Sequence, residues 1–93
     1  MPAPQGPTYQ PTDGVVARVV SDETVVVDLD SERYFSLNTT GAVVWSAVIA
    51  GRSVEQAAME LAEIYDVADQ TARVDAEEIV RQLVEAGLLL PRP

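Results

Sequence analysis

The sequence predicts an α+β domain with a winged-helix-like order, in which a three-stranded antiparallel sheet is followed by three helices. Three short β-branched segments come first, at residues 15–20, 24–29 and 33–37. The polar pieces between them are short enough only for hairpins, so consecutive strands should pair. After Leu37 the apolar period lengthens from two residues toward about 3.6, the period of a helix. We expect the sheet on one side and a small helical layer on the other.

The third strand is the most informative of the three. Alternation sends Phe35 and Leu37 to one face and Tyr34 and Ser36 to the other. The three helices that follow are predicted from their end signals. Asn38 or Thr39 can cap the first, and Ser53 with Gln56 forms a capping box for the second. The third begins at about Asp69 or Gln70. The predicted ends are Gly51, Asp66 and Gly87, and residues 88–90 pack back as an extended segment.

A helical projection separates the faces of the third helix. The core stripe contains Ala72, Ala76, Ile79, Val80 and Leu83. Val74 lies opposite that stripe, while Asp75, Ile79 and Gln82 form one shoulder of the helix. A single exposed valine is common, but a docking role for Val74 is the alternative that we keep.

The composition excludes several classes of function. The 93 residues contain neither cysteine nor histidine, which removes thiol nucleophiles, Cys/His zinc sites and the commonest general base. We therefore expect no catalytic residues, no metal and no cofactor. The net charge of -9 argues against nucleic acids and anionic membranes as partners, because both are bound through Lys and Arg. A basic peptide is favoured.

Domain bounds follow from the prolines and the apolar pattern. Residues 1–13 hold four of the six prolines and are predicted to be a disordered tail, residues 14–90 the folded domain and residues 91–93 a second tail. The apolar runs are far shorter than the roughly 20 residues of a membrane span. Without a basic flank and apolar stretch at the N-terminus, a cytoplasmic protein is expected.

An unprotected sheet edge is the main candidate site. In a three-strand meander, residues 33–37 lie at an edge, and after Arg33 they carry no charge, proline or other device that blocks pairing. Such an edge can accept a guest peptide as an added strand. The alternative is that the third helix or the C-terminal segment covers it. The acidic residues from Asp28 to Glu32 lack the later ligands of a calcium loop and are interpreted as a solvated turn.

The run from Asp28 to Ala42, then Val44-Trp45 and residues 51–55, resembles the PqqD-like family. The similarity continues through Leu61, residues 65–67 and residues 74–75 to Leu83 and residues 87–89, so it covers roughly residues 15–90. The resemblance implies a RiPP recognition element. Such domains bind the leader segment of a ribosomally made precursor peptide beside the third strand, against the third helix. Among subgroups, the sequence is most similar to the free-standing recognition proteins of lasso-peptide pathways.

The edge and the helix shoulder together give the predicted site and function. We expect a non-catalytic protein that binds a precursor leader peptide by strand addition and presents it to a separate leader peptidase, with a cyclase as a further partner. A winged-helix DNA-binding regulator is the alternative. The predicted peptide-binding residues are Arg33, Tyr34, Phe35, Ser36, Leu37, Val74, Asp75, Glu78, Ile79 and Gln82.

Overall fold

Five strands and three helices follow one another in the computed structural model, which describes residues 6–92. The strands are Tyr9–Pro11 (β1), Val15–Val20 (β2), Glu23–Asp28 (β3), Arg33–Leu37 (β4) and Leu89–Pro91 (β5). The helices are Thr39–Ile49 (α1), Val54–Tyr65 (α2) and Asp69–Glu85 (α3). The predicted α+β class is confirmed, with β2, β3 and β4 forming an antiparallel sheet ahead of the three helices.

Two tight turns hold the three-stranded sheet together. Ser21 and Asp22 both have positive φ, 51° and 68°, as a two-residue type I′ hairpin requires between β2 and β3. The second turn is organised by Asp28, whose carboxylate accepts hydrogen bonds from the backbone N–H groups of Asp30 at 3.1 Å and Ser31 at 3.4 Å. The acidic stretch that resembled the start of a calcium loop therefore forms a hairpin turn stabilised by its own side chain.

The predicted helix caps are present. The Asn38 side chain accepts from the Gly41 N–H at 2.7 Å, so Asn38 rather than Thr39 caps α1. Ser53 and Gln56 form the reciprocal capping box of α2. The end of α2 is Asp66 in the left-handed conformation. Each cap satisfies backbone groups that the helix itself leaves without partners.

The core lies between the inner face of the sheet and the three helices. Of the sheet residues, Val26 is fully buried, while Phe35 and Leu37 pack against the core from β4. The predicted stripe of α3 is buried at Ala72, Ala76, Val80 and Leu83, but Ile79 is only half-buried. The other fully or nearly fully buried apolar residues are Val44, Trp45, Ala47, Val48, Val54, Ala57, Ala58, Leu61, Leu88 and Leu89. No helix within residues 6–92 has the length and apolarity needed to cross a membrane.

One sequence-based expectation was wrong. Residues 9–11, assigned to a disordered tail, form β1 and pair antiparallel with β5, which also extends to Pro91. Backbone bonds continue the ribbon, from the Thr12 N–H to Leu88 O at 3.1 Å and from the Arg92 N–H to Thr8 O at 2.9 Å. The pairing is with a segment about 80 residues away, which local composition could not reveal. The rest of the predicted tails, residues 1–5 and 93, lies outside the described residues.

Candidate functional site

The edge of β4 is open in the part of the chain that the structure describes. The strand order is β2, β3, β4, so β4 pairs on one side only. The C-terminal segment pairs with β1 instead, and α3 stands apart from β4 across a cleft. Of the two alternatives, the open edge is therefore the one that the structure favours.

The register identifies the backbone groups that face this open edge. In an antiparallel ladder, hydrogen-bonded and non-hydrogen-bonded pairs alternate. The Leu29 N–H donates to Gly14 O at 2.9 Å, so Gly14, just before β2, and Leu29, just after β3, form a hydrogen-bonded pair. Every second pair along β2 and β3 is then also hydrogen-bonded. The alternate residues of β3 then bond to β4, through the pairs Val26 with Phe35 and Thr24 with Leu37. The N–H and C=O groups of Tyr34 and Ser36 consequently point outward.

A cleft of about 240 Å³ runs between β4 and α3. Phe35 and Leu37 form the strand wall, and Ile79, Leu83 and Ala86 form the helix wall. Most of these side chains are apolar, and Gln82 places an amide on the helix side. The cleft lies directly beside the outward-facing backbone of β4. An extended peptide added at the edge would direct alternate side chains into it.

Both ends of the cleft are fixed by specific contacts. At one end, the Arg33 guanidinium donates from Nη2 to Ala86 O at 3.1 Å and lies 5.2 Å from the Phe35 ring centroid. This side chain joins the first residue of β4 to the end of α3. At the other end, Asn38 and Gly41 at the start of α1 line the cleft. The width between strand and helix is thus set by residues on three elements.

The predicted site residues divide into three groups. Phe35, Ser36, Leu37, Ile79 and Gln82 line the cleft. Arg33 bridges its end and the Tyr34 side chain is exposed on the opposite face of the sheet. A separate set lies on α3 outside the cleft lining, namely Val74, Asp75 and Glu78, all exposed.

Sequence reasoning missed several residues that line the cleft, namely Asn38, Gly41, Leu83, Ala86 and Leu88. The helical projection predicts Leu83 only for the core stripe. Ala86 falls between Ile79 and Gln82 in a helical projection, so extending the shoulder by one turn would have found it. Asn38 and Gly41 follow β4 so closely that a helix starting there had to border the strand's end.

Ion pairs occupy the charged outer side of α3. Arg81 donates to Glu78 and Glu85, with 2.6 Å between Nη1 and Glu85 Oε1. The hydrogen bond from Arg81 holds the pKa of the Glu78 carboxyl below its ordinary value, and the same contact raises the pKa of Arg81. Gln82 also donates to Glu78, at 3.1 Å. The arginine on this side of α3 is therefore already bound to carboxylates.

A larger cleft, of about 390 Å³, lies on the other side of α3. Tyr9 and Pro91 of the β1–β5 ribbon, with Val80 and Val84 of α3, form much of its wall. It has more apolar surface than the β4 cleft but borders no strand edge of the three-stranded sheet. We base the candidate site on the smaller cleft because apolar walls and outward-facing backbone groups meet there.

Comparison with known proteins gives one family and two related structures. The profile of coenzyme PQQ synthesis protein D (PqqD) matches residues 23–89. The structure described as "TbiB1 in Complex with the TbiA(beta) Leader Peptide" is 29% identical, covers 86% of this chain and 93% of its own, and has a TM-score of 0.80. "Lasso peptide synthetase B1 complexed with the leader peptide" is 26% identical, covers 89% and 98%, and has a TM-score of 0.83.

A search of curated proteins gave no significant match. The family match nevertheless spans most of the sequence, including β3, β4, all three helices and the start of β5. Both walls of the β4 cleft lie within it. The chain belongs to the PqqD family.

Proposed function

We propose that this protein is a non-catalytic recognition protein that binds the leader segment of a ribosomally made precursor peptide. The class of precursor that we propose is the lasso-peptide precursor. The observation that carries the proposal is the outward-facing backbone of Tyr34 and Ser36 beside the apolar cleft. Both related structures are described as complexes with a leader peptide, which supports the same assignment. The protein acts in the cytoplasm and presents the leader to a separate peptidase and cyclase.

The binding energy comes from two sources. Backbone hydrogen bonds at the edge each contribute a net ~0.5–1.5 kcal/mol. Apolar guest side chains in the cleft add ~25 cal/mol for each Å² of surface that they and the cleft remove from water. Phe35, Leu37 and Ile79 supply much of that surface. Val74, Asp75 and Glu78 are proposed contacts for a guest that continues past the cleft toward the start of α3.

The protein raises the local concentration of the precursor at the enzyme. Tethering through a bound leader gives an effective concentration of up to about mM, without any chemical step by the tethering protein. The negative net charge favours guests with basic residues around the apolar anchors. It opposes the DNA-binding alternative, as does the engagement of Arg81 by Glu78 and Glu85.

The test is a parallel titration of labelled leader and labelled duplex DNA at about 150 mM salt. The leader should be that of the precursor encoded beside this protein, and a scrambled leader of equal composition is the control. We expect a leader Kd of about 1 μM or tighter, which corresponds to about -8 kcal/mol. Tight binding of DNA without binding of the leader would overturn the proposal.

A further inference from the structure

Arg33 places a positive charge at one end of the β4 cleft, whose described lining residues are all uncharged. Its guanidinium donates from Nη2 to Ala86 O, and a guanidinium has further N–H donors in the same planar fork. Among the described residues, no carboxylate lies close enough to form an ion pair with it, whereas Arg52 and Arg81 are both paired with glutamates. Arg33 therefore has donors available for a ligand beside an open strand edge.

A guest strand on β4 would bring a side chain to this charge. Phe35 and Leu37 face the cleft, and alternation puts Arg33 on the same face of the strand. The outward backbone groups belong to Tyr34 and Ser36, so an antiparallel guest forms its hydrogen-bonded pairs there. The guest residues opposite Arg33, Phe35 and Leu37 then occupy the non-hydrogen-bonded pairs, in which side chains are closer. With Cβ atoms about 4.5–5.5 Å apart, a guest Asp or Glu opposite Arg33 can reach its guanidinium.

Apolar anchors alone leave the position of the guest along β4 undetermined. A slip by one residue turns every anchor away from the cleft, but a slip by two residues keeps them on the same face. The cleft has apolar side chains along its length, among them Phe35, Leu37 and Ile79, so it accepts either register. A charge at one end distinguishes the two registers, because only one of them places an acidic side chain beside Arg33.

We propose that Arg33 selects the leader and fixes its register by pairing with an acidic side chain two positions along the guest from the apolar anchor opposite Phe35. This inference rests on the proposed function, because it needs a guest on β4. The planar guanidinium can donate two parallel hydrogen bonds to a carboxylate. The bound guest shields this pair from water, which strengthens it relative to an ion pair on the open surface. The net charge of -9 favours a guest that is basic elsewhere, so the acidic position is opposite in sign to the overall preference.

Charge reversal with rescue separates this pairing from a purely structural role of Arg33, which also joins β4 to the end of α3. The probe is the labelled leader of the precursor encoded beside this protein, with each acidic residue replaced in turn by Lys. Every peptide is titrated against the wild type, Arg33→Glu and Arg33→Gln, with thermal unfolding measured in parallel. The matched control is Arg18→Glu, the same charge change at an exposed position of β2, the strand at the opposite edge of the sheet.

One Lys replacement in the leader should weaken binding to the wild type at least about 10-fold, and that peptide should bind Arg33→Glu more tightly than it binds the wild type. Arg33→Glu should bind the unmodified leader at least about 10-fold more weakly, whereas Arg18→Glu should stay within about twofold, because solvent screens a distant exposed charge. In Arg33→Gln the same Lys replacement should cost less than about twofold, since the charge that it opposes is gone. This second variant keeps the test decisive if Arg33→Glu does not fold.

Three results would overturn the inference and leave Arg33 as a structural link between β4 and α3. They are a set of Lys replacements of which none is rescued by Arg33→Glu, an equal loss in Arg33→Glu and Arg18→Glu, and an unchanged cost of every Lys replacement in Arg33→Gln. A leader that has no acidic residue and still binds the wild type would have the same meaning. Failure of the wild type to bind the unmodified leader would instead overturn the proposed function.

Discussion

Asp28 shows how one side chain stabilises a turn at the residue scale. Its carboxylate receives hydrogen bonds within the turn, and the side chain of Ser31 is the largest of the causes that hold the pKa of Asp28 below its ordinary value. The backbone N–H groups of Ser31 and Asp30 and the charge of Arg33 act in the same direction. The charged form is therefore favoured by folding.

The first prediction concerns pH. Because the pKa of Asp28 is lower in the folded protein, its stabilising contribution is full above the ordinary carboxyl pKa of about 4 and is lost as pH falls through the folded pKa. An NMR titration of the Asp28 carboxyl should give a midpoint below the ordinary aspartate pKa of about 3.9. In Asp28→Asn, thermal stability should fall less steeply between about pH 5 and about pH 3, the range in which carboxyls titrate. An Asp28 midpoint at or above that ordinary value would contradict the prediction.

A second prediction separates two residues of α3. Ile79 lines the cleft, whereas Val74 is 54% exposed and lies outside the lining. Ile79→Glu should weaken leader binding by several kcal/mol, on the order of 100-fold or more, because an unpaired carboxylate would be buried against the guest. Val74→Asp should change the free energy of unfolding by less than about 0.5 kcal/mol. It should weaken leader binding by about threefold, the scale of a peripheral contact.

Thermal unfolding of each variant must accompany the binding measurement, since Ile79 also packs against the core. Ile79→Ala, which adds no charge, distinguishes lost packing from a buried carboxylate. Arg81→Ala on the outer side of α3 is the control for a change away from the cleft. If Ile79→Glu stays folded and binds leader as Arg81→Ala does, α3 is only a scaffold.

At the scale of single elements, β4 has two roles, pairing with β3 and presenting an open edge, and its residues alternate between them. The groups of Phe35 bond toward β3, while those of Tyr34 and Ser36 face the open edge. Tyr34→Pro or Ser36→Pro should leave the sheet folded and reduce leader affinity at least about 10-fold, because each removes an outward N–H. Phe35→Pro should destabilise the sheet itself. Circular dichroism and leader titration of the three variants check this.

If the Tyr34→Pro and Ser36→Pro variants both bind leader normally, the leader does not bind by strand addition at β4.

The sequence alone could predict only part of this arrangement of β4. Alternation predicted which side chains share a face of β4, but the direction of its backbone groups depends on the pairing with β3 and β2. That pairing is a contact between strands, fixed by the register and by the bond from the Leu29 N–H to Gly14 O.

Helix ends were predictable because their causes are local. Ser53 with Gln56 and the cap at Asn38 involve residues within three positions of each other. The β1–β5 ribbon was not predictable, because Pro11 and Leu89 meet only in the folded chain. The projection of α3 correctly placed Val74 on the exposed side. It could not show that the cleft lies nearer the helix end, at Ile79 and beyond.

For the whole molecule, the ribbon of β1 and β5 connects the beginning and end of the described chain. Leu89 is fully buried, and its partner in the antiparallel pairing is Pro11 of β1. Removing residues 1–11 should lower the melting temperature by several °C, because β5 loses its pairing partner and a loss of about 1 kcal/mol already shifts the melting temperature by roughly 4–8 °C in a domain of this size. Thermal unfolding should be compared with removal of residues 1–5 alone, which leaves β1 in place.

The larger truncation should still bind leader at temperatures where it is folded, because no residue of β1 or β5 lines the β4 cleft. A truncated protein with unchanged melting temperature would mean that the ribbon contributes nothing to stability. Loss of leader binding in a fully folded truncated protein would connect the ribbon to the site instead.

Trp45 gives the molecule a built-in optical reporter. It is the single tryptophan of the sequence, it is 2% exposed on α1, and its indole nitrogen has no hydrogen-bond partner among the described residues. An indole in so apolar a setting emits at short wavelength, and exposure to water on unfolding shifts the emission to the red. Because Trp45 does not line the β4 cleft, a bound peptide should leave this emission in place. Intrinsic fluorescence therefore reports folding independently of an anisotropy signal from labelled leader, and one sample yields both.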